Sequence, residues 1–452
     1  MSPPPAPTSA APVPEAWEAK LQRRASGVPL ATVGNAYVVL SNHRDWQGVI
    51  AYDEHAQRVV KRSPPPYPLG RAGDWEGMDD SFTAFWLSSA AGMETLSSTQ
   101  ASEAVEMAAR DAAFDPVIEF LDGLAWDGTP RVDHWLVDYF GAPACDYTRL
   151  VGRWWLLGMV KRAFEPGCKF DFMPILEGPQ GRGKSSALEV LAAPWFGNTD
   201  FVMGDKDSLA VIQGKWLYEI AELDSFSRAD TTRVKSFVSR QIDEFRPAYG
   251  RRVVRLPRRV VFVGTTNQFE YFKDASGNRR FWPIRCLDMI DLEGLAEARD
   301  QLFAEAVLHV RAGLRCYPTQ HEQETLLSPE QQDREIVDSW EDAVHRYLED
   351  VDIDGRRRDQ VGVFDLLVGA LRLDAGKITK EMTQRVATVM RQLGWTRQDR
   401  RGEHPRYVYE RPKKGAGETG APQADDDGTA LTVPNLPNLG DKVRKDNPLN
   451  PR

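Results

Sequence analysis

The stretch from Phe172 to Ala192, FMPILEGPQGRGKSSALEVLA, constrains this chain more than any other. Phe172, Ile175 and Leu176 form an apolar run that reads as a buried strand. The eight residues Gly178-Pro-Gln-Gly-Arg-Gly-Lys-Ser185 fit G-x-x-x-x-G-K-[ST], and a helix follows. Glycines lack a Cβ, so consecutive N–H groups can converge on phosphate oxygens. Lys184 can reach the β and γ phosphates, Ser185 can offer its hydroxyl to Mg²⁺, and the helix N-terminus faces the anion. Gly178, Pro179, Gln180, Gly181, Arg182, Gly183, Lys184, Ser185 and Ser186 are therefore the expected nucleotide-binding residues, with ATP and Mg²⁺ as ligands. A strand, loop and helix of this kind predicts an α/β fold.

Downstream, Gln213-Gly-Lys-Trp-Leu-Tyr-Glu-Ile-Ala-Glu-Leu-Asp224 reads as a short apolar strand, Trp216 to Ala221, interrupted and ended by carboxylates. Such a strand beside a phosphate loop presents an acid to Mg²⁺ and to the attacking water. Glu222, at the strand end, is the first choice; Glu219 and Asp224 are the alternatives. Strand alternation places Glu219 and Glu222 on opposite faces. Asp230 then precedes a helix over Thr231 to Arg240, with Lys235 expected on its exposed side as a candidate DNA contact. The segment Phe245 to Arg259 holds six arginines and no acid. Tyr249-Gly250-Arg251 reads as a hairpin tip. Arg246, Arg251 and Arg252 suit a phosphodiester backbone, and Tyr249 suits a stacked base. Val260 to Gln268 is an apolar strand whose end places Asn267 where it can orient a hydrolytic water. Arg279 and Arg280 follow a turn and precede another strand; an arginine beside a γ-phosphate neutralises charge on its equatorial oxygens, often from a neighbouring subunit.

Around this core, residues 1–15 are Pro-, Ala- and Ser-rich and predicted disordered. Residues 16–113 read as a small α/β domain, with strands at Ala36–Leu40 and Gly48–Tyr52 and a helix over Thr99–Ala113. Residues 114–164 read as a helical collar and 165–315 as the nucleotide-binding domain. Residues 335–412 give helix, helix, hairpin, the order of a winged helix. Lys380, Arg400 and Arg401 are its candidate DNA contacts, and residues 413–452 are predicted disordered. The formal net charge of −9 does not by itself point to a polyanion, so the arginine clustering carries that expectation. Four widely spaced cysteines without a C-x-x-C pair argue against a zinc knuckle or disulfide framework. That usage, with no run of 18 apolar residues and no apolar leader, predicts a cytoplasmic protein that needs no membrane.

Read in order, phosphate loop, acidic strand, basic hairpin, Asn-ended strand and arginines resemble a superfamily 3 helicase. More narrowly the chain resembles the virulence-associated protein E family of phages, prophages and chromosomal islands. The residues are Trp126-Asp-Gly with Arg131, Pro166-Gly-Cys-Lys-Phe-Asp171, Glu177 to Ser185, Glu219-Ile-Ala-Glu-Leu-Asp224, Arg246-Pro-Ala-Tyr-Gly250, Gly264-Thr-Thr-Asn267 and Gly277-Asn-Arg-Arg-Phe-Trp-Pro283. The resemblance implies an AAA+-like core that assembles into rings, as a homohexamer, and hydrolyses ATP to move on DNA. It implies single-stranded DNA in the ring channel, duplex DNA at the winged helix, and a bacterial host cell. A separate primase or initiator is a possible partner, since no D-x-D metal pair stands before the collar. The alternative left open by the residues is an ATP-switched origin-binding or regulatory protein that does not unwind.

Overall fold

The computed structural model of the chain describes residues 16–199, 206–223, 228–245, 253–272, 277–335, 340–351, 356–400 and 406–411. It divides into two compact units, Met1–Ile336 and Val337–Arg452. The terminal segments expected to be disordered, Asp224, and the hairpin tip with Arg246, Tyr249, Arg251 and Arg252 lie outside the described residues, as does Arg401.

The first unit opens with α1 (Val33–Asn42), β1 (Ile50–Asp53), β2 (Arg58–Lys61), β3 (Gly73–Asp74), α2 (Gly77–Ala91), α3 (Ser98–Asp111) and β4 (Ala113–Phe114). The strands form a sheet in the order β3-β2-β1-β4. The strand expected at Ala36–Leu40 is instead part of helix α1. A short apolar run does not distinguish the two by itself. Here Thr32 caps the helix by accepting from the Asn35 N–H, and Asn35, Ala36, Val39 and Leu40 share the buried stripe.

Three collar helices follow: α4 (Pro116–Gly123), α5 (Trp135–Phe140) and α6 (Asp146–Phe164). Asp115 caps α4 by accepting from the Val117 and Ile118 N–H groups, with Pro116 in the first turn. The next elements are β5 (Met173–Glu177), α7 (Lys184–Ala192), β6 (Phe196–Gly197), α8 (Lys206–Val211), β7 (Leu217–Ile220), α9 (Arg228–Val238), the antiparallel pair β8 (Ile242–Phe245) and β9 (Val254–Pro257), then β10 (Val261–Thr266), β11 (Phe281–Arg285) and α10 (Leu292–Arg311).

Five of these strands build one sheet in the order β11-β5-β10-β7-β6, with every neighbouring pair parallel. Both faces are covered, which is why the strands read as continuous apolar runs rather than alternating ones. On one face Leu176, Leu217, Val261, Val263, Trp282 and Ile284 join a core with Trp154, Trp155, Leu188 and Phe303 from α6, α7 and α10. On the other, Met173, Ile175, Tyr218, Ile220, Phe262 and Phe281 pack against Val234, Phe237 and Val238 of α9. Short helices α11 (Gln320–Glu322) and α12 (Ser328–Gln332) close the unit.

The amino-terminal domain meets this core where Glu54 lies 3.8 Å from Arg259 and the Gly214 N–H donates to the His55 carbonyl at 3.2 Å; Arg259 is also ion-paired with Asp115 at the start of the collar. Among the described residues no helix is long and apolar enough to cross a membrane.

The second unit runs α13 (Glu341–Glu349), β12 (Gln360–Gly362), α14 (Val363–Asp365, continued by a π turn over Leu366–Ala370), α15 (Lys380–Gln392), β13 (Thr396–Arg400) and β14 (Arg406–Glu410). Two helices and a hairpin were expected here; Val361 adds a further strand that pairs with β14, so the sheet has three strands in the order β12-β14-β13. Val344, Leu348, Leu366, Leu367, Val386, Val389, Met390 and Trp395 form its core.

Candidate functional site

The carboxyl ends of β5, β10 and β7 open onto a cleft of about 390 Å³ lined by Gln180 to Ser186, Glu219, Ala221, Glu222, Thr265, Thr266 and Asn267. Such crevices at the strand ends of open α/β sheets are where ligands bind. The loop reaches it because Gly183 stands as the cap of α7 with φ +87°, a conformation glycine adopts without strain. Gly178 is pinched differently: a Cβ there would meet the Cys286 carbonyl oxygen at 2.7 Å.

Lys184 is buried, and its ammonium donates to the Gly178 carbonyl at 2.5 Å, the Pro179 carbonyl at 3.0 Å and Asn267 Oδ1 at 3.2 Å. Gly178 and Pro179 thus face the cleft through Lys184 rather than as lining groups. Ser185 Oγ donates to Glu219 Oε1 at 2.7 Å, and Thr265 Oγ1 donates to the same oxygen at 2.7 Å. The strand pleat explains this meeting. Glu219 alternates with Tyr218 and Ile220, so it shares the face of Leu217, and Thr265 shares the face of Val261 and Val263. That is the face on which α7 packs.

Glu219 and Glu222 were expected on opposite faces. The pleat argument stops at Ile220, where β7 ends. Glu222 has φ +53°, and this left-handed turn brings its exposed side chain to the rim of the same cleft. A non-glycine residue held in that region is uncommon and clusters at functional sites. The two acids therefore differ in setting: Glu219 is buried against Ser185, whereas Glu222 stands in solvent.

Arg279 and Arg280 sit in a tight turn at the start of β11. β11 runs parallel to β5, with Phe281 opposite Met173 and Arg285 opposite Glu177. The pair is thus at the far end of the sheet from the cleft of its own chain, about 13 Å of strand away. Arg279 is exposed, while Arg280 Nε donates to Ser239 Oγ at 2.7 Å and lies 3.9 Å from Asp171.

Lys235 corrects an expectation. It is only 6% exposed and its ammonium lies 5.8 Å from the centre of the Phe281 ring. Thr231, Val234, Lys235 and Val238 share a buried stripe of α9, so the lysine stem serves as packing surface and the residue is not an open DNA contact. The β8–β9 pair is anchored by a buried ion pair, Asp243 with Arg258, and Arg258 also packs on Phe237 and Phe262. Lys380 is exposed at the start of α15, and Arg400 ends β13.

Sequence reasoning gave no role to Thr265, Tyr271 or Arg334. Thr265 was accessible through strand alternation from Val261 and Val263. Arg334 lies 157 residues from Glu177, the group it holds, and nothing local marks it.

Fold and cleft together define a class: an α/β domain on a parallel sheet with a glycine-rich loop, a lysine and an acid–serine pair at the strand ends. Residues 121–336 match the family model of the virulence-associated protein E-like domain. Among solved structures, the apo structure of the NrS-1 C-terminal region (305–718) aligns at 10% identity and TM-score 0.45, covering 80% of this chain and 95% of the other. An A-form apo structure of that region aligns at 11% identity and TM-score 0.43, covering 64% and 78%. No curated protein matches the chain.

Proposed function

We propose that this chain is an ATP-dependent DNA helicase of a phage or mobile element, acting as an oligomeric ring, a homohexamer, in DNA replication. The observation that carries the reading is the pairing of Lys184 with Asn267 and of Ser185 with Glu219 around one cleft. Gln180 to Ser186 would hold the phosphates, and Ser185 and Glu219 would hold Mg²⁺. The residues fit that ion because a hydroxyl and a carboxylate oxygen already meet there, leaving phosphate and water oxygens to complete its shell. When bound, Mg²⁺ neutralises charge on the β and γ oxygens.

Lys184 binds the same oxygens as a point charge. Glu222, at the open rim, takes the proton of the attacking water, and Asn267 orients that water. Arg279 or Arg280 serves the cleft of a neighbouring subunit, a role supported by their distance from their own. The arginine-rich tip on β8–β9 grips single-stranded DNA: Arg246, Arg251 and Arg252 on phosphates, Tyr249 on a base. The second unit is read as a winged helix on duplex DNA, supported by its helix–strand–helix–helix–strand–strand order.

The test is ATP turnover and strand displacement on forked DNA with Lys184→Ala. Both should be lost while far-ultraviolet circular dichroism stays parental. Turnover at the parental rate would remove the assignment, and parental ATPase activity without strand displacement in the unaltered chain would favour the ATP-switched binding protein.

A further inference from the structure

We propose that Glu177, Arg334 and Tyr271 form a positioning device that sets where Lys184 and Asn267 stand, acting from the opposite face of the sheet. This rests on the reading of the cleft as an ATP-hydrolysing site.

Glu177 ends β5, and its side chain is fully buried. It shares the face of Met173 and Ile175, away from α7, so it cannot act as a ligand in the cleft. Arg334 is 1% exposed and forks onto it, Nε to Oε1 at 2.9 Å and Nη2 to Oε2 at 3.0 Å. The Tyr271 hydroxyl adds a third bond to Oε1 at 2.7 Å. Arg334 is itself held by Glu330, through its carboxylate at 2.5 Å and its carbonyl at 2.9 Å. Arg285 approaches Glu177 at 3.9 Å.

A buried ion pair is weak evidence for stability, because desolvation can exceed the attraction gained. Its placement assigns it another task. Glu177 immediately precedes Gly178, whose carbonyl accepts from Lys184. Tyr271 follows Asn267 by four residues, and Asn267 accepts from Lys184 as well. The backbone N–H groups of Tyr271 and Phe272 both donate to the Arg334 carbonyl, at 3.1 and 3.0 Å. One arginine therefore pins both chain segments that contact the Lys184 ammonium. Those segments leave adjacent strands, β5 and β10. A phosphate in the loop competes for the same ammonium hydrogens. If the segments were loose, the Gly178 carbonyl and Asn267 would drift as the lysine turned to the phosphate. Pinned, they keep the water-orienting amide and the loop entrance in register, and small misplacements of such groups cost rate steeply.

Tyr271→Phe tests this with the least disturbance, since it keeps the ring in its apolar contacts and removes only the hydroxyl. Arg334→Lys keeps the charge and cannot fork. In the full chain we expect Tyr271→Phe to lower kcat by about tenfold, with the Kd for a fluorescent ATP analogue unchanged and the folded spectrum parental. Arg334→Lys, if it folds, should lower kcat further. A Tyr271→Phe chain with parental kcat, whatever its melting temperature, overturns the inference and leaves the cluster as packing. So does a variant whose loss lies wholly in Kd. A parental chain that turns over no ATP removes the ATPase reading itself, and with it this inference.

Discussion

Glu219→Gln separates holding the metal from activating the water. The Glu219 carboxylate is buried and accepts two hydroxyl bonds at one oxygen, from Ser185 and Thr265, each 2.7 Å long. An amide keeps the volume and can still accept both. Two bonds to a charged group, roughly 1.5–3 kcal/mol each, become neutral ones of roughly 0.5–1.5 kcal/mol. The buried amide also escapes the desolvation cost of a carboxylate, which offsets part of the loss. The net change in stability should be about 1–2 kcal/mol. Loss of a charged metal ligand acts on the transition state, where such stabilisation is worth several kcal/mol. About 3–4 kcal/mol corresponds to a fall in kcat of roughly 10²–10³-fold. The assay is ATP turnover against Mg²⁺ concentration beside a urea melt: Glu219→Gln should need more Mg²⁺ and lose turnover out of proportion to its stability. Glu222→Gln, on the exposed rim, should melt like the parent, keep ATP and Mg²⁺ binding, and lose turnover. Parental turnover by Glu219→Gln with an unshifted Mg²⁺ curve would refute the assignment drawn from the Ser185 contact.

Two further outcomes follow from other parts of the molecule. Burial lowers the pKa of His55 to about 3, and neither ring nitrogen has a partner among the described residues. The unfolded chain therefore binds the proton first, so this contribution is intact above pH 6.5 and is lost as pH falls toward 3. Between pH 7 and 5 the loss should be about 2 kcal/mol in urea melts, with His55→Gln showing a flatter profile; equal profiles would count against it. For the arginine turn, mixing Arg280→Ala and Lys184→Ala chains should restore some hydrolysis if the arginine serves a neighbour, because one interface then holds both parts. Mixed rings shown to form but without recovery would place its action within one chain.

The loop and its helix were legible because their chemistry is local: glycines, lysine and serine at fixed spacing need no partner to be recognised. The acidic strand was legible as a strand, but the choice between Glu219 and Glu222 was not. That choice depends on where pairing ends and on the left-handed turn at Glu222, which no residue type announces. Ala36–Leu40 failed as a strand because Val and Leu suit both structures, and the deciding partners, Thr32 as cap and α3 as packing surface, lie outside the run. Lys235 failed because charge was read as exposure, whereas a lysine stem can fill an apolar stripe.

Sheet order is what no local pattern reveals, and it explains the arrangement of the cleft. β10 lies between β5 and β7, with Gly264 opposite both Ile175 and Ile220. The strand carrying the glycine-rich loop and the strand carrying the acid therefore never touch as neighbours. β10 mediates between them: Thr265 donates to Glu219 on one side, and two residues on Asn267 accepts from Lys184 on the other. Gly264 is closely packed at this position, since a Cβ there would meet Leu223 Cδ1 at 2.3 Å. A side chain at Gly264 would make the Leu223 side chain shift, in the turn that carries Glu222. The lysine, the buried acid and the rim acid are separate in sequence and share one strand as their common reference.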